Sequence, residues 1–133
     1  MINYKTFSGY TPIDTVEQQN ETMVKNRVAH HLRENQRTPS QHKYLDQILM
    51  LCKDRNVSLS LVVAPLRKDF IDVLRSENYS IDDLFKDVYL WAKKNKISIK
   101  NYIDSKEFEN SDFKDCDHLN GRGALKLTKM IMG

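Results

Sequence analysis

The spacing of apolar positions changes several times along the chain, and each change marks an element. Met23, Val24, Val28 and Leu32 recur at intervals of three and four to about Glu34, with Asp14 and Glu17 as a capping box ahead of them. The apolar face is narrow, so this first helix is predicted to be polar and only weakly amphipathic. Thr38-Pro39-Ser40-Gln41 is a stronger start signal, because proline suits the first helical position and the glutamine can reach back to the cap. Tyr44, Leu45, Ile48, Leu49 and Cys52 then follow on one broad face, predicting a helix from Pro39 to Arg55.

Val57 to Ala64 alternates, becomes continuously apolar and stops at Pro65, as a buried parallel strand does. Leu66 to Ser76 reads as a loop and a short helix. Ser80, with Asp83 three residues on, caps a helix that turns Leu84, Phe85, Val88, Tyr89 and Ala92 toward a core, to about Lys94. Ile97 to Ile103 alternates as a second strand, Asp104 to Asn120 is a polar loop, and Ala124, Leu125, Leu127, Thr128 and Ile131 form a last helix. Residues 1–13 look irregular, with Gly9 and Pro12 as breakers and Tyr4, Phe7 and Tyr10 as anchors onto something else.

Strands alternating with helices indicate an α/β layer architecture with a parallel sheet, whose active sites gather at the carboxyl ends of the strands. Both post-strand loops, 65–69 and 104–120, end there. Two strands leave both edges of the pair unpaired, so the sheet is expected to be completed by self-association, as a homodimer through the strand edges Val57 to Ala64 and Ile97 to Ile103. Residues 1–37 read as an irregular segment plus a polar helix, and 38–133 as the α/β unit.

Composition narrows the functional classes. The 133 residues carry 40% hydrophobic content at a mean hydropathy of −0.61, enough for one modest core. The net charge of +3 is spread along the chain, which argues against nucleic-acid and membrane partners. Cys52 and Cys116 imply no disulfide framework. No apolar run approaches a membrane span and no leader pattern opens the chain, so a cytoplasmic location is expected, with export if the natural protein has a longer N-terminus.

The chemistry concentrates in Asp115-Cys116-Asp117-His118-Leu119-Asn120, ahead of Gly121-Arg122-Gly123-Ala124. A histidine with carboxylates one and three residues before it, in a loop that opens a helix, can be oriented by an acid and still face a substrate. Asp115 is preferred to Asp117 as its partner, because a carboxylate adjacent in sequence usually points away. Zinc ligands normally come in separated pairs, and no oxyanion feature supports Cys116 as a nucleophile, so no metal and no cofactor is expected. The blander reading of the loop is a helix start capped by Asn120. Arg27, His30, His31, Arg33, Arg37, His42 and Lys43 form a loosely basic strip that reads as a solvated helix surface, and Phe85, Tyr89 and Trp91 read as core. Arg67-Lys68-Asp69, after Pro65, reads first as an ordinary polar turn, with Arg67 as the alternative contact for an anionic substrate group.

Val62-Val63-Ala64-Pro65 closing a strand, followed by a helix, a strand, the Asp115-x-x-His118-Leu119-Asn120 element and Gly123-Ala124 opening a terminal helix, resembles the C-terminal half of SGNH (GDSL-like) hydrolases and acyltransferases. The resemblance spans roughly residues 38 to 132. It implies a partial flavodoxin-like, three-layer αβα fold with two parallel strands and four to five helices. It further implies a Ser-His-Asp triad with His118 as general base and Asp115 as its orienting acid, and acyl esters or carbohydrate esters as substrates. Asn120 and Arg67 are the candidate substrate contacts. No Gly-Asp-Ser block follows an apolar strand, Ser8 has no strand before it, and no Gly-x-Asn-Asp element is present, so the chain is expected to lack the nucleophile and to be inactive alone. The alternative expectation is a non-catalytic interaction module.

Overall fold

The computed structural model of the chain describes residues 15–34 and 39–133. Five helices and two strands follow in the order α1 (Glu21–Glu34), α2 (Pro39–Asp54), β1 (Ser60–Val63), α3 (Lys68–Ser76), α4 (Ile81–Asn95), β2 (Ser98–Asn101) and α5 (Gly121–Met132), with a short 3₁₀ turn at Asn110–Asp112. The architecture is α/β, a two-stranded parallel sheet within a partial αβα arrangement. Among the described residues, no helix is long and apolar enough to cross a membrane.

Local chemistry sets most boundaries. The expected capping box at Asp14 lies outside the described residues. α1 begins later, where the Asn20 side chain accepts from the Met23 amide at 2.9 Å, and Glu17 sits in an extended lead-in. Ser80 and Asp83 form the reciprocal capping box ahead of α4. α2, α3 and α4 are each followed within two residues by one with positive φ: Asn56 (53°), Asn78 (64°) and Lys96 (56°). In each case the next amide bonds back five residues, Val57 to Cys52, Tyr79 to Leu74 and Ile97 to Ala92, closing the last turn.

β1 and β2 pair in parallel with Leu61 opposite Ile99 and Val63 opposite Asn101. Both strands are shorter than their apolar runs because each has a single partner, and the ladder reaches only as far as their overlap. Leu61, Val63 and Ile99 share the covered face. Leu61 and Ile99, with Leu59 and Ile97, pack against the cluster of Leu49 of α2 and Trp91 and Ala92 of α4, whereas Val63 belongs to a second cluster that Ile99 also touches; the Trp91 indole donates to Asp46 at 2.9 Å. The alternate residues Ser60, Val62, Ser98 and Lys100 are exposed, so β1 is buried on one face rather than two. α5 flanks this second face, where the Lys100 ammonium donates to the Ile131 carbonyl at 3.2 Å.

The first helix departs most from its sequence pattern. Val24 and Val28 are each 1% exposed and join Val63, Phe70, Leu74, Leu84, Ile103 and Cys116 in one cluster. α1 thus packs against α3 and α4.

Candidate functional site

The loop after β2 is closed by an antiparallel bridge between Phe113 and Leu119, and by the Lys114 amide donating to the His118 carbonyl at 2.8 Å. This curls residues 114–118 into a tight turn in a setting far less polar than its sequence: Asp115 and Cys116 within it, and Asp112 and Phe113 just before it, are buried. Arg67, in the loop leaving β1, donates its amide to the Cys116 carbonyl at 3.0 Å, which sets the turn at the carboxyl end of that strand. The lead-in to α1 holds the other side. The Gln19 side chain accepts from the Cys116 amide at 2.8 Å, and Glu17 donates its amide to the Lys114 carbonyl.

Within the turn, His118 Nδ1 lies 2.9 and 3.1 Å from the two oxygens of Asp115, and Asp115 Oδ1 also accepts the Asp117 amide at 3.1 Å. The His118 side chain is 58% exposed, and among the described residues nothing hydrogen-bonds its Nε2. An Nδ1–H donated to Asp115 leaves Nε2 of the neutral ring as a solvent-facing acceptor, the arrangement a general base requires.

Asp117 has a second role. Its side chain is 2% exposed, and Oδ2 accepts from Arg27 Nε at 2.9 Å and lies 2.8 Å from His31 Nε2, both on α1, while Oδ1 sits 3.2 Å from His118 Nδ1. The His31 ring stands edge-on to Phe70, with centroids 5.3 Å apart. Burial pushes the Asp117 carboxyl upward, but the hydrogen bonds from His31 and Arg27 outweigh it and hold the acid well below the usual carboxylate range. The Cys116 thiol is pushed up to about 12 by burial and then by the carboxylates of Asp117, Asp69 and Asp115, so it stays protonated and unreactive.

The basic strip is thus split: Arg27 and His31 point inward onto Asp117, while His30 and Arg33 are exposed. A signal for this was present. Residues 24, 27, 28 and 31 follow the i, i+3, i+4, i+7 pattern of a single helical face, and two of the four are cationic or ionisable.

The two expected substrate contacts are engaged by the fold. The Asn120 carbonyl oxygen accepts from the Gly123 amide at 3.0 Å, and its amide donates to the Ser111 carbonyl at 2.8 Å, so Asn120 caps α5 with 4% of its surface exposed. The Arg67 guanidinium is clamped on Asp69 by two 2.8 Å bonds, reaches the Glu17 carbonyl at 3.1 Å, and is 7% exposed. Next to this cap, Gly123 allows α5 to approach the 3₁₀ turn closely: a Cβ there would lie 2.0 Å from the Asp112 carbonyl oxygen. Asp112 itself is buried and paired with Lys126 and Arg122, fastening α5 in place.

Asp115, Asp117 and His118 place ligand atoms within 4.8 Å of one another, a spacing that a cation could bridge. The oxygens of Asp117 already meet Arg27, His31 and His118, so the cluster is organised as a charge network within the chain. His118 and Asp115 are brought together, whereas Asn120 and Arg67 serve to hold the turn. Comparison with known proteins finds no matching protein-family model, no similar curated protein and no similar solved structure.

Proposed function

We propose that this chain carries the acid–base half of a Ser-His-Asp acyl-transfer site of the SGNH hydrolase and acyltransferase type, with His118 as general base and Asp115 as the carboxylate that orients it. The supporting observation is the pairing of His118 Nδ1 with Asp115 at 2.9 Å beneath an exposed, unpartnered Nε2. In a complete site a serine hydroxyl attacks an acyl carbonyl. Nε2 takes the serine proton and returns it to the leaving alcohol, while Asp115 holds the tautomer and stabilises the imidazolium. Small acyl esters, including carbohydrate esters, are the substrates this reading implies. The sequence has neither the Gly-Asp-Ser block nor the Gly-x-Asn-Asp element that the resemblance implies, so the chain alone is expected to turn over esters little or not at all.

The test joins turnover to reactivity. Hydrolysis of a short-chain acyl ester is measured for wild type, His118→Ala and Asp115→Asn, and carbethoxylation of each histidine by diethyl pyrocarbonate is followed by mass spectrometry. Negligible turnover with fast modification of His118 is expected. Robust turnover abolished by His118→Ala would overturn the incomplete-site reading. Modification of His118 slower than that of the exposed His30 would remove the base.

A second reading, a non-catalytic interaction module, is favoured by a different observation. Tyr44, Ile48 and Leu51 of α2 are 64%, 49% and 56% exposed, and Val57, ahead of β1, is 57% exposed. A second copy of the chain is the partner this reading commits to, through strand edges and the α2 stripe.

A further inference from the structure

We infer that Arg27 and His31 of α1, acting through the buried carboxylate of Asp117, are positioning residues for His118 that keep Asp115 as the working partner of the imidazole. This rests on the acid–base reading for the role of His118, though not for the geometry. Two carboxylates compete for one ring N–H: the Asp115 oxygens lie 2.9 and 3.1 Å from His118 Nδ1, and Asp117 Oδ1 lies 3.2 Å away. A few tenths of an ångström do not decide such a contest. Charge does.

Asp117 shares its charge with the Arg27 guanidinium and the His31 ring, while among the described residues Asp115 has no lysine or arginine ion partner. Arg67 faces the turn from the loop after β1, but it is clamped on Asp69. Asp115 is therefore the less neutralised acceptor and takes the stronger charge-assisted bond from Nδ1–H. Without the guanidinium, Asp117 remains a carboxylate buried next to the ring with most of its compensation gone, and the ring N–H is drawn toward it. The imidazole then turns or alternates between acceptors, which displaces Nε2 from its solvent-facing position.

A purely structural salt bridge would change stability alone, so the readout is the His118 ring itself. Proton–nitrogen NMR of the imidazole is recorded for wild type, Arg27→Gln, Arg27→Lys and Arg33→Gln, the last altering an exposed arginine of the same helix. Arg27→Gln is expected to move the His118 Nδ1 resonance and to speed exchange of its proton with water by about tenfold or more. Arg27→Lys restores most of the wild-type signal, and Arg33→Gln leaves it unchanged. A His118 spectrum unaltered in folded Arg27→Gln, or altered equally in Arg33→Gln, overturns the inference. If Arg27→Gln does not fold, His31→Leu decides: it removes one of the two α1 contacts to Asp117, so a smaller shift of the same His118 resonance is expected, and an unaltered His118 spectrum overturns the inference. The acid–base reading fails separately, through slow carbethoxylation of His118, with these ring spectra unaffected.

Discussion

Asp117 shows how strongly a single residue depends on its partners. A carboxylate taken out of water is costly unless its lone pairs are met, and here a guanidinium and an imidazole meet them. Its pKa is lowered in the folded chain, so its contribution to stability is complete above the ordinary carboxylate range of the unfolded chain, about pH 3.9, and is lost as the pH falls from there toward the folded value. Urea unfolding between pH 2 and 7 should therefore show a steeper acid decline for wild type than for Asp117→Asn. Equal slopes would mean that Asp117 carries no such linkage. At neutral pH the same substitution should cost about 3 kcal/mol, because it leaves the α1 donors facing an amide. Gly123 is constrained by space instead. Gly123→Ala drives a methyl into the Asp112 carbonyl and should lower stability by about 3 kcal/mol, seen as a large fall in melting temperature. A melting temperature within a degree or two of wild type would show that α5 can shift at little cost.

Among the elements, α1 is decisive. Its buried valines join it to α3 and β1, and its polar residues reach the turn that holds His118. Val28→Ala should destabilise the chain by about 2 kcal/mol and make residues near α1 the first cut in limited proteolysis. Cleavage starting elsewhere would deny α1 that place. The helices and both strands were legible from periodicity and caps, since Ser80 with Asp83 and the alternation of Ile97 to Ile103 are local signals. Asp115 with His118 was legible for the same reason, lying within one turn. The inward face of α1 was legible only as the spacing of residues 24, 27, 28 and 31, because arginine and histidine count as polar in any hydropathy pattern and only a distant buried carboxylate gives them an inward role. The burial of the Asp112 and Asp117 side chains was hidden: a segment rich in aspartate reads as solvated until Lys126, Arg27 and His31 are known to meet those charges.

For the whole molecule, the open question is what lies against the uncovered edge and α2 stripe. Pairing with a second copy predicts a dimer in sedimentation equilibrium, converted to monomer by Ile48→Glu with Leu51→Glu while the circular dichroism stays native. A concentration-independent monomer in wild type would remove the self-association proposal. The site also has a consequence for how the chain reaches its native state. His118 and Asp115 are three residues apart and can find each other as soon as the turn forms, whereas Arg27 and Asp117 are separated by 90 residues. Closing so long a loop carries an entropic cost that the local pair avoids. In refolding, the base and its acid should therefore meet early with a neighbouring charge still unmatched, and the finished geometry arrives only when α1 has docked against the turn.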